Sequence, residues 1–418
     1  VYKRQLYQVE KNMRIIFVGT LPPIIGLSPY CLHLSNALSK KIDLEFISFK
    51  RFANKSLSFK RETKISEEYY NDILKRIKIR KLLTWNSPLS GFKVGLQLKG
   101  DILHVQWWIS QLILVYLPIV LIAKMKNIKI VFSIHNILPH EKNKKNVFLD
   151  KVANRFIFPF VDAFIVHNKR NKRQFVEIYG INERKVFIVT HGVLDLVKKT
   201  DIPMEVARRH LHLPARKKIV LFFGYIRPYK GVDVLIKAFV SVKKQVKNAF
   251  LLISGQILND TWDKYKKLIK ENNLKEDDIR VDLGFVPEGE VGYYFSAADV
   301  VVLPYKHLDT HGGVGALALS FKKPVLVTDV GGLPEFIKDT RVLVKPSDIR
   351  DLSEKLTKVL KDEQLCLKLQ SDSERLSREI TWDRIADETI KIYHSLMGEG
   401  RDNGLTSNSF KLNFSKRE

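Results

Sequence analysis

Residues 309–335, DTHGGVGALALSFKKPVLVTDVGGLPE, join a glycine-rich turn to an apolar helical run, a buried strand and a second glycine turn. Gly312, Gly313 and Gly315 can adopt positive φ and leave room for a ligand close to the backbone. A helix that begins at these glycines points unpaired N–H groups and the positive end of its dipole at an anion. The stretch therefore predicts an anion-binding site. The alternative interpretation is that its glycines only form ordinary turns of an α/β protein.

This helix, strand and turn form half of an α/β repeat, and the same alternation extends over most of the chain. Short β-branched runs alternate with amphipathic helical runs, which is typical of βα units around parallel sheets. The predicted strands are 14–18, 44–48, 102–105, 128–134, 163–167 and 186–190 in the first half, and 219–223, 250–254, 280–283, 300–303, 325–328 and 342–344 in the second.

The chain of 418 residues is long enough for two such domains. A polar, basic segment between the turn at His191 and Pro214 separates the two series of strands. We therefore predict an α/β fold with two Rossmann-like domains, 13–195 and 214–380, whose parallel sheets face a central cleft. The tail 398–418 is expected to be disordered.

Cysteine content and apolar runs restrict the class of protein. Cys31 and Cys366 lie far apart and without metal-ligand spacing, which argues against a disulfide framework or a zinc site and fits a reducing compartment. No signal-peptide pattern is present, and Met13 is expected to be the natural start. The longest apolar stretch, 112–123, is interrupted by Pro118 and is too short to span a bilayer, so it predicts a buried helix.

The formal net charge of +26 is concentrated in the first half of the chain. It amounts to +21 over residues 1–213, +5 over 214–380 and zero over 381–418. Such a field favours an anionic partner, namely a membrane surface, a polyphosphate-linked lipid or nucleic acid. A solvated basic surface is the alternative. Nucleic acid ranks last, because the basic residues are scattered and no nucleic-acid motif is present.

The segment 222–231, FFGYIRPYKG, ends a predicted strand with a loop that carries Arg227 and Lys230. Two cations at the carboxyl end of a strand can clamp a diphosphate and stabilise charge that develops on it as a leaving group. Because Lys and Arg are abundant in this chain, a chance pairing is the alternative. The strand, loop and helix order favours the clamp.

Two further loops follow predicted strands. His135 ends a strand and could donate a hydrogen bond to a sugar hydroxyl or a phosphate, although a lone histidine is more often structural. Its spacing to His140 and Glu141 matches no common metal site. In the loop 19–30, Gly26 and Ser28 can offer donors near a helix N-terminus. That loop lacks the third glycine of a dinucleotide fingerprint, so nicotinamide binding is not expected.

Taken in order, these motifs resemble the retaining glycosyltransferases of family 4, which have the two-domain GT-B fold. The resemblance covers residues 13–397, and the segment 381–393 is similar to the closing helix that returns to the first domain in that family. The motifs that carry it are GTLPPIIG (19–26), the strand-end His135, GYIRPYKG (224–231), AADVVVLPY (297–305) and PVLVTDVGGLPE (324–335).

The resemblance implies transfer of a hexose-type sugar from a UDP- or GDP-linked donor to a glycan or lipid-linked acceptor. Retention at the anomeric carbon and independence of metal ions or other cofactors are implied with it. The donor is expected on the carboxyl-terminal domain and the acceptor on the amino-terminal one. The expected role is cell-surface polysaccharide or glycolipid synthesis, by a cytoplasmic enzyme that can be peripheral at the inner membrane face.

Residue roles follow from the same resemblance. Arg227 and Lys230 are expected to hold the diphosphate, and His135 to approach the transferred sugar. Gly26 and Ser28 are expected on the acceptor or phosphate side. The other residues expected at the donor are Gly224, Asp309, Gly312, Gly313, Val314, Gly315 and Glu335.

The sequence departs from the family pattern at two places. Many members carry two glutamates across the glycine segment, and alignment on Pro324 places Asp309 and Leu317 at those positions. Leu317 cannot hydrogen-bond a ribose, which bears on donor preference. The basic residue that usually follows the strand-end glycine is Tyr225 here, and Arg227 can substitute for it.

Two other functions fit the same motifs. A nucleotide-sugar epimerase of similar fold would act on the donor without an acceptor. A sugar-nucleotide-binding protein without activity would bind the donor and give no product. Incubation with donor alone, and with donor plus acceptor, distinguishes the three.

Overall fold

The computed structural model describes residues 13–21, 27–51, 74–138, 144–192, 202–308 and 312–398. These residues form two compact units. The amino-terminal unit contains the described residues up to 192 and those from 382 onward, and the carboxyl-terminal unit contains residues 202–381 as far as they are described.

Strands of both units are short and largely apolar, which suits sheets covered by helices on both faces. In the amino-terminal unit they are β1 Arg14–Val18, β2 Asp43–Arg51, β3 Lys78–Thr84, β4 Ile102–Trp107, β5 Lys129–Ile134, β6 Ala163–Val166 and β7 Val186–Ile188. In the carboxyl-terminal unit they are β8 Lys218–Phe223, β9 Ala249–Gly255, β10 Ile279–Leu283, β11 Val300–Leu303, β12 Val325–Thr328 and β13 Leu343–Val344.

Helices connect the strands. Over the described residues they are α1 Ser28–Ser39, α2 Pro88–Gln97, α3 Ile113–Met125, α4 Lys144–Ile157, α5 Lys169–Tyr179, α6 Met204–His210, α7 Val232–Gln245, α8 Asp263–Glu271, α9 Glu288–Ala297, α10 Gly313–Ser320, α11 Ile349–Lys361, α12 Glu363–Glu379 and α13 Trp382–Met397.

Both sheets are parallel and doubly wound. Their orders are β3-β2-β1-β4-β5-β6-β7 and β10-β9-β8-β11-β12-β13. β1 pairs with both β2 and β4, and β8 pairs with both β9 and β11, so the chain leaves the middle of each sheet in opposite directions. Loops at the carboxyl ends of such a central pair splay apart and leave room for ligands. The predicted α/β fold with two Rossmann-like domains is confirmed.

The last helix belongs to the amino-terminal unit although it follows the other unit in sequence. α13 packs against α1, and its Tyr393 hydroxyl lies 2.6 Å from Nδ1 of the buried His104. The indole of Trp382 lies close to Gly192, where an added Cβ would approach the ring to 2.6 Å. These contacts make α13 part of the first unit's core.

The structure differs from the sequence prediction in three regions. Residues 50–99, in which no strand was predicted, contain the edge strand β3 and helix α2. α3, predicted to be buried, exposes Leu114 and Met125 on its outer side. The segment expected to connect the domains contributes α6, and its Arg208 guanidinium pairs with Asp299 at 2.7 Å.

Two other expectations concern membranes and the tail. No described helix has the length and apolar character needed to cross a bilayer. The tail beyond residue 398 lies outside the described residues.

Candidate functional site

The loop after β8 begins and ends with glycines whose conformations are unfavourable for other residues. Gly224 has φ of +106° and Gly231 has φ of +70°. A Cβ on Gly231 would lie 1.9 Å from the carbonyl oxygen of Pro304, so the chain can pass there only without a side chain. The Lys306 N–H donates to the Tyr229 carbonyl at 2.7 Å. The loops after β8 and β11 are therefore joined, and residues 225–230 are held at the sheet's carboxyl edge.

Lys230 lies at the end of this loop against an aromatic face. Its Nζ is 3.7 Å from the centroid of the fully buried Tyr305 ring. An ammonium group is attracted to the negative face of such a ring. Burial, together with the charge of Arg227, lowers the pKa of the Lys230 amine to about 7.

Arg227 is the second cation of the loop. Its Nε is buried and has no hydrogen-bond partner in the described part of the chain, and the guanidinium carbon lies 6.0 Å from the Tyr225 ring centroid. No carboxylate of the described residues forms an ion pair with Arg227 or Lys230, whereas the nearby Lys306 pairs with Asp233 at 2.7 Å. The loop thus carries two positive groups without a described counter-ion, which is the electrostatic requirement for binding an anion.

Helix α10 begins beside this loop, as the sequence predicted. A Cβ on Gly224 would lie 3.1 Å from Cγ2 of Val314, and a Cβ on Gly312 would lie 3.8 Å from Cε2 of Tyr305. Among the described residues no side chain caps the N-terminus of α10, and its first turn contains no acidic residue. The N–H groups of its first turn and its dipole therefore add to the positive potential near Lys230.

The glycines of the 309–335 stretch act differently from the prediction. Gly312 has φ of −82°, and neither Gly313 nor Gly315 has positive φ, so the predicted left-handed turn at these residues is wrong. An added Cβ on Gly315 would lie 2.3 Å from the buried Phe336 ring, so this glycine serves packing. Positive φ, +53°, occurs instead at Gly331.

The remaining residues predicted on the donor side lie after β12, in α10 or outside the described residues. Glu335 is half-buried in a short 3-10 helix after β12, and its N–H donates to the Gly332 carbonyl at 3.2 Å. Leu317 is half-buried and packs against the core of the carboxyl-terminal unit. Asp309 lies outside the described residues, as do Gly26, His140 and Glu141.

In the amino-terminal unit, His135 follows β5 and is only 9 % exposed. Its Nε2 lies 2.8 Å from Oε1 of Gln106, and its Nδ1 lies 3.2 Å from Nε2 of His167. Nδ1 of His167 in turn lies 3.0 Å from the Val189 carbonyl oxygen. Burial, with smaller effects from His167 and two other histidines, lowers the pKa of His135 well below its usual value. His135 is therefore neutral.

With His135 and His167 both neutral, one arrangement of protons satisfies this chain of contacts. The Val189 carbonyl can only accept, so Nδ1 of His167 donates to it and Nε2 of His167 accepts from Nδ1 of His135. Nε2 of His135 must then accept, and the oxygen of Gln106 cannot donate. Turning the Gln106 amide over brings its nitrogen, which has no other partner among the described residues, to this position. In this arrangement Nε2 of His135 is an acceptor. The role of His135 at the transferred sugar stays a prediction.

Aromatic rings surround His135. The Tyr30 ring lies edge-on to it at 4.7 Å between centroids and also contacts His167, His191 and Trp382. Ser28 begins α1, and its hydroxyl donates to Thr20 at 3.2 Å inside the unit, so its side chain faces the protein.

Sequence reasoning missed Tyr305, Gln106, His167 and His191 as neighbours of the site residues. One signal was present: each of them ends or follows a parallel strand, and such ends share one edge of the sheet. Among the described residues no group of three His, Cys, Asp or Glu side chains is placed to hold a metal ion.

Two family models match the chain in succession. The model described as Glycosyltransferase Family 4 matches residues 25–194, and that described as Glycosyl transferases group 1 matches residues 203–375. A curated relative, D-inositol 3-phosphate glycosyltransferase from Corynebacterium aurimucosum, is 24% identical over 328 residues, which are 76% of each chain.

Solved structures show the same fold. Sucrose-phosphate synthase from Thermosynechococcus elongatus superposes with a TM-score of 0.67 at 17% identity, covering 93% of this chain and 100% of that one. HepE from Anabaena in complex with UDP-glucose gives a TM-score of 0.68 at 16% identity, covering 93% and 100%. These similarities confirm the GT-B fold expected from the sequence.

Proposed function

The chain belongs to the family 4 glycosyltransferases, and we propose that it is a retaining enzyme that moves a hexose-type sugar from a nucleotide-sugar donor to a glycan or lipid-linked acceptor. One observation carries the proposal: Arg227 and Lys230 lie without a described counter-ion at the carboxyl edge of the second sheet, beside the open N-terminus of α10.

This arrangement suits the diphosphate of a nucleotide sugar. The leaving diphosphate gains negative charge as the glycosidic bond breaks, and two fixed cations with a helix N-terminus stabilise that charge without reorganising. They supply the positive charge that a metal ion provides in other sugar transfers, which supports a metal-independent reaction. Gly224 and residues 312–315 lie where their backbone could contact the donor, with Glu335 and Asp309 as further donor-side groups.

A retaining transfer holds the acceptor hydroxyl on the face of the sugar that the diphosphate leaves. We assign the acceptor to the amino-terminal unit, with Gly26 and Ser28 on its side. A substrate hydroxyl could replace the Gln106 amide as the donor to Nε2 of His135, which is an acceptor in the neutral ring.

The donor is proposed to carry UDP or GDP. HepE, which shares the fold, binds UDP-glucose, and this supports the UDP alternative. The charge of +21 on residues 1–213 supports an acceptor presented at an anionic membrane surface, as in polysaccharide or glycolipid synthesis. A cytoplasmic location at the inner membrane face is part of the proposal, and the two free cysteines agree with it.

A thermal-shift screen against UDP, GDP and their sugar conjugates identifies the donor, because a ligand that binds only the folded state raises its stability. The donor is then incubated with and without membrane lipid extract, and the products are examined by NMR. Retention at the anomeric carbon with acceptor present supports the proposal. Conversion of the donor alone would show an epimerase, binding without product would show a non-catalytic protein, and inversion would overturn the stereochemistry.

A further inference from the structure

Helix α2 carries a row of apolar side chains on its solvent side. Leu89, Phe92 and Leu96 are 72 %, 50 % and 57 % exposed. Their spacing of three and four residues places them on one face of the helix. The opposite face contains Gly91 and Gly95, which allow α2 to pack closely against α3. The exposed row is therefore a second apolar face, which no described part of the unit covers.

α3 and α4 have the same feature. In both helices the exposed apolar residues recur at intervals that keep them on one face, while other residues of each helix enter the core. These exposed side chains are Leu114, Leu121 and Met125 on α3, and Phe148, Val152 and Phe156 on α4.

The three helices lie next to one another. α3 packs against both α2 and α4. Val94 of α2, Ile119 of α3 and Ile157 of α4 enter one core cluster under the sheet, so all three helices cover the same sheet face. The nine exposed side chains then share one outer surface, which we call the apolar face. Exposed large apolar residues elsewhere in the described chain are scattered over other helices, the end of β10 and a loop.

Charged residues on the apolar face have one sign. Of the described side chains on α2, α3 and α4, the exposed charged ones are Lys93, Lys151 and Arg155. The acid of these helices, Asp150, is buried and accepts hydrogen bonds from the Tyr179 hydroxyl at 2.9 Å and from Asn154 at 3.0 Å. The apolar face is thus accompanied by cations and by no described exposed carboxylate.

We infer that the apolar face docks onto an anionic lipid bilayer, with its Phe, Leu and Met side chains in the boundary between headgroups and acyl chains and its cations on lipid phosphates. An interfacial helix combines these two contacts. A second copy of the chain is the poorer occupant, because a two-fold contact of this face would bring the cations of both copies together. The inference deepens the proposed function, on which it rests for a membrane-presented acceptor.

Vesicle flotation of the full chain tests the inference without any sugar transfer. The vesicles are phosphatidylcholine alone, or phosphatidylcholine with about a third phosphatidylglycerol. The test variant combines Phe92→Ser, Phe148→Ser and Phe156→Ser. A matched control combines Val206→Ser, Ile349→Ser and Leu367→Ser, which are also exposed apolar residues but lie on helices of the other unit. Thermal unfolding of both variants establishes that they are folded.

The wild-type chain and the control are expected to float with anionic vesicles, and the test variant to lose about tenfold or more in partitioning. Replacing Lys93, Lys151 and Arg155 by Gln should remove the preference for anionic over neutral vesicles. Equal flotation of wild type and test variant would overturn the inference. So would dimerisation that the test variant abolishes in the absence of vesicle binding, since it would identify a second copy as the occupant.

UDP binding, measured on the same samples, separates this inference from the proposed function. Loss of flotation with UDP binding intact in the test variant supports the docking face. A wild-type chain that floats but binds no nucleotide would overturn the proposed function and leave the docking face standing.

Discussion

The amine of Lys230 lies 3.7 Å from the centre of the Tyr305 ring, and no described carboxylate is paired with it. The ring provides a polarisable surface that cannot neutralise the charge, so the amine remains available to an anion. This relationship leads to the first three predictions.

Lys230→Ala should lower turnover by about two or more orders of magnitude, because it removes a fixed charge that stabilises the leaving diphosphate. Lys237→Ala, at an exposed position of α7 in the same unit, is the matched control and should keep wild-type turnover. Steady-state kinetics with the identified donor measure both. Near-normal turnover of Lys230→Ala contradicts the diphosphate assignment.

Donor affinity should depend on pH around neutrality. The free Lys230 amine has a pKa of about 7, and a bound diphosphate favours its charged form, so binding takes up a proton above that pH. The dissociation constant of UDP should rise by about tenfold per pH unit above pH 7. Lys230→Arg, whose guanidinium stays charged, should give a flatter profile in calorimetric titrations. A wild-type profile that is flat to pH 9 or so argues against this role.

Tyr305→Phe should leave stability unchanged or raise it. The Tyr305 hydroxyl is buried and has no hydrogen-bond partner among the described residues, so removing it relieves a desolvation cost. Tyr305→Leu should cost about 1–3 kcal/mol through the cavity it leaves, and should weaken UDP binding because Lys230 loses its aromatic face. Urea unfolding and UDP titration measure the two effects. Destabilisation by Phe would show that the hydroxyl has a partner in solution.

The imidazole chain should be visible by NMR. His135 is expected as the Nδ1–H tautomer and neutral where a free imidazole would be half protonated, because its Nδ1 donates to His167 and burial lowers its pKa. Nitrogen-15 shifts of selectively labelled protein report both nitrogens. A proton on Nε2, or titration near pH 6.5, is incompatible with the assigned chain.

Stability of the amino-terminal unit should fall in acid. Burial lowers the pKa of His33 to about 4 and that of His104 to about 3, and it also lowers that of His135. Below about pH 6.5 the unfolded chain binds protons that these rings exclude, so each costs up to about 1.4 kcal/mol per pH unit. His33→Phe keeps a ring next to Trp382 but removes one titrating group. The stability of this variant should therefore depend less steeply on pH. Chemical denaturation at several pH values tests this.

The positions of most strands in the sequence were predictable, because buried parallel strands are recognisable as short β-branched runs. The loop with Arg227 and Lys230 could be placed for the same reason, since strand ends share one edge. β3 was missed because it is an edge strand with exposed lysines, so its pattern resembles a loop.

Contacts between distant side chains could not be predicted. Tyr305 lies far from Lys230 in sequence, and their contact depends on Gly231 passing over Pro304. The proton arrangement around His135 depends on Gln106, His167 and the Val189 carbonyl, which three different strands bring together. Hydrophobic periodicity identifies helices and strands and their ends. It does not identify which side chains of different elements contact one another.

The position of α13 affects how the protein is made. The chain emerges from the ribosome amino end first. Almost the whole amino-terminal unit is therefore synthesised before α13, the helix that covers part of its core. Trp382 and Tyr393 arrive only after the intervening unit has been synthesised, and until then His104 lacks its hydroxyl partner. A fragment that ends at residue 381 would remain in that incomplete state, whereas residues 202–381 are contiguous in sequence and do not depend on α13 to complete their unit.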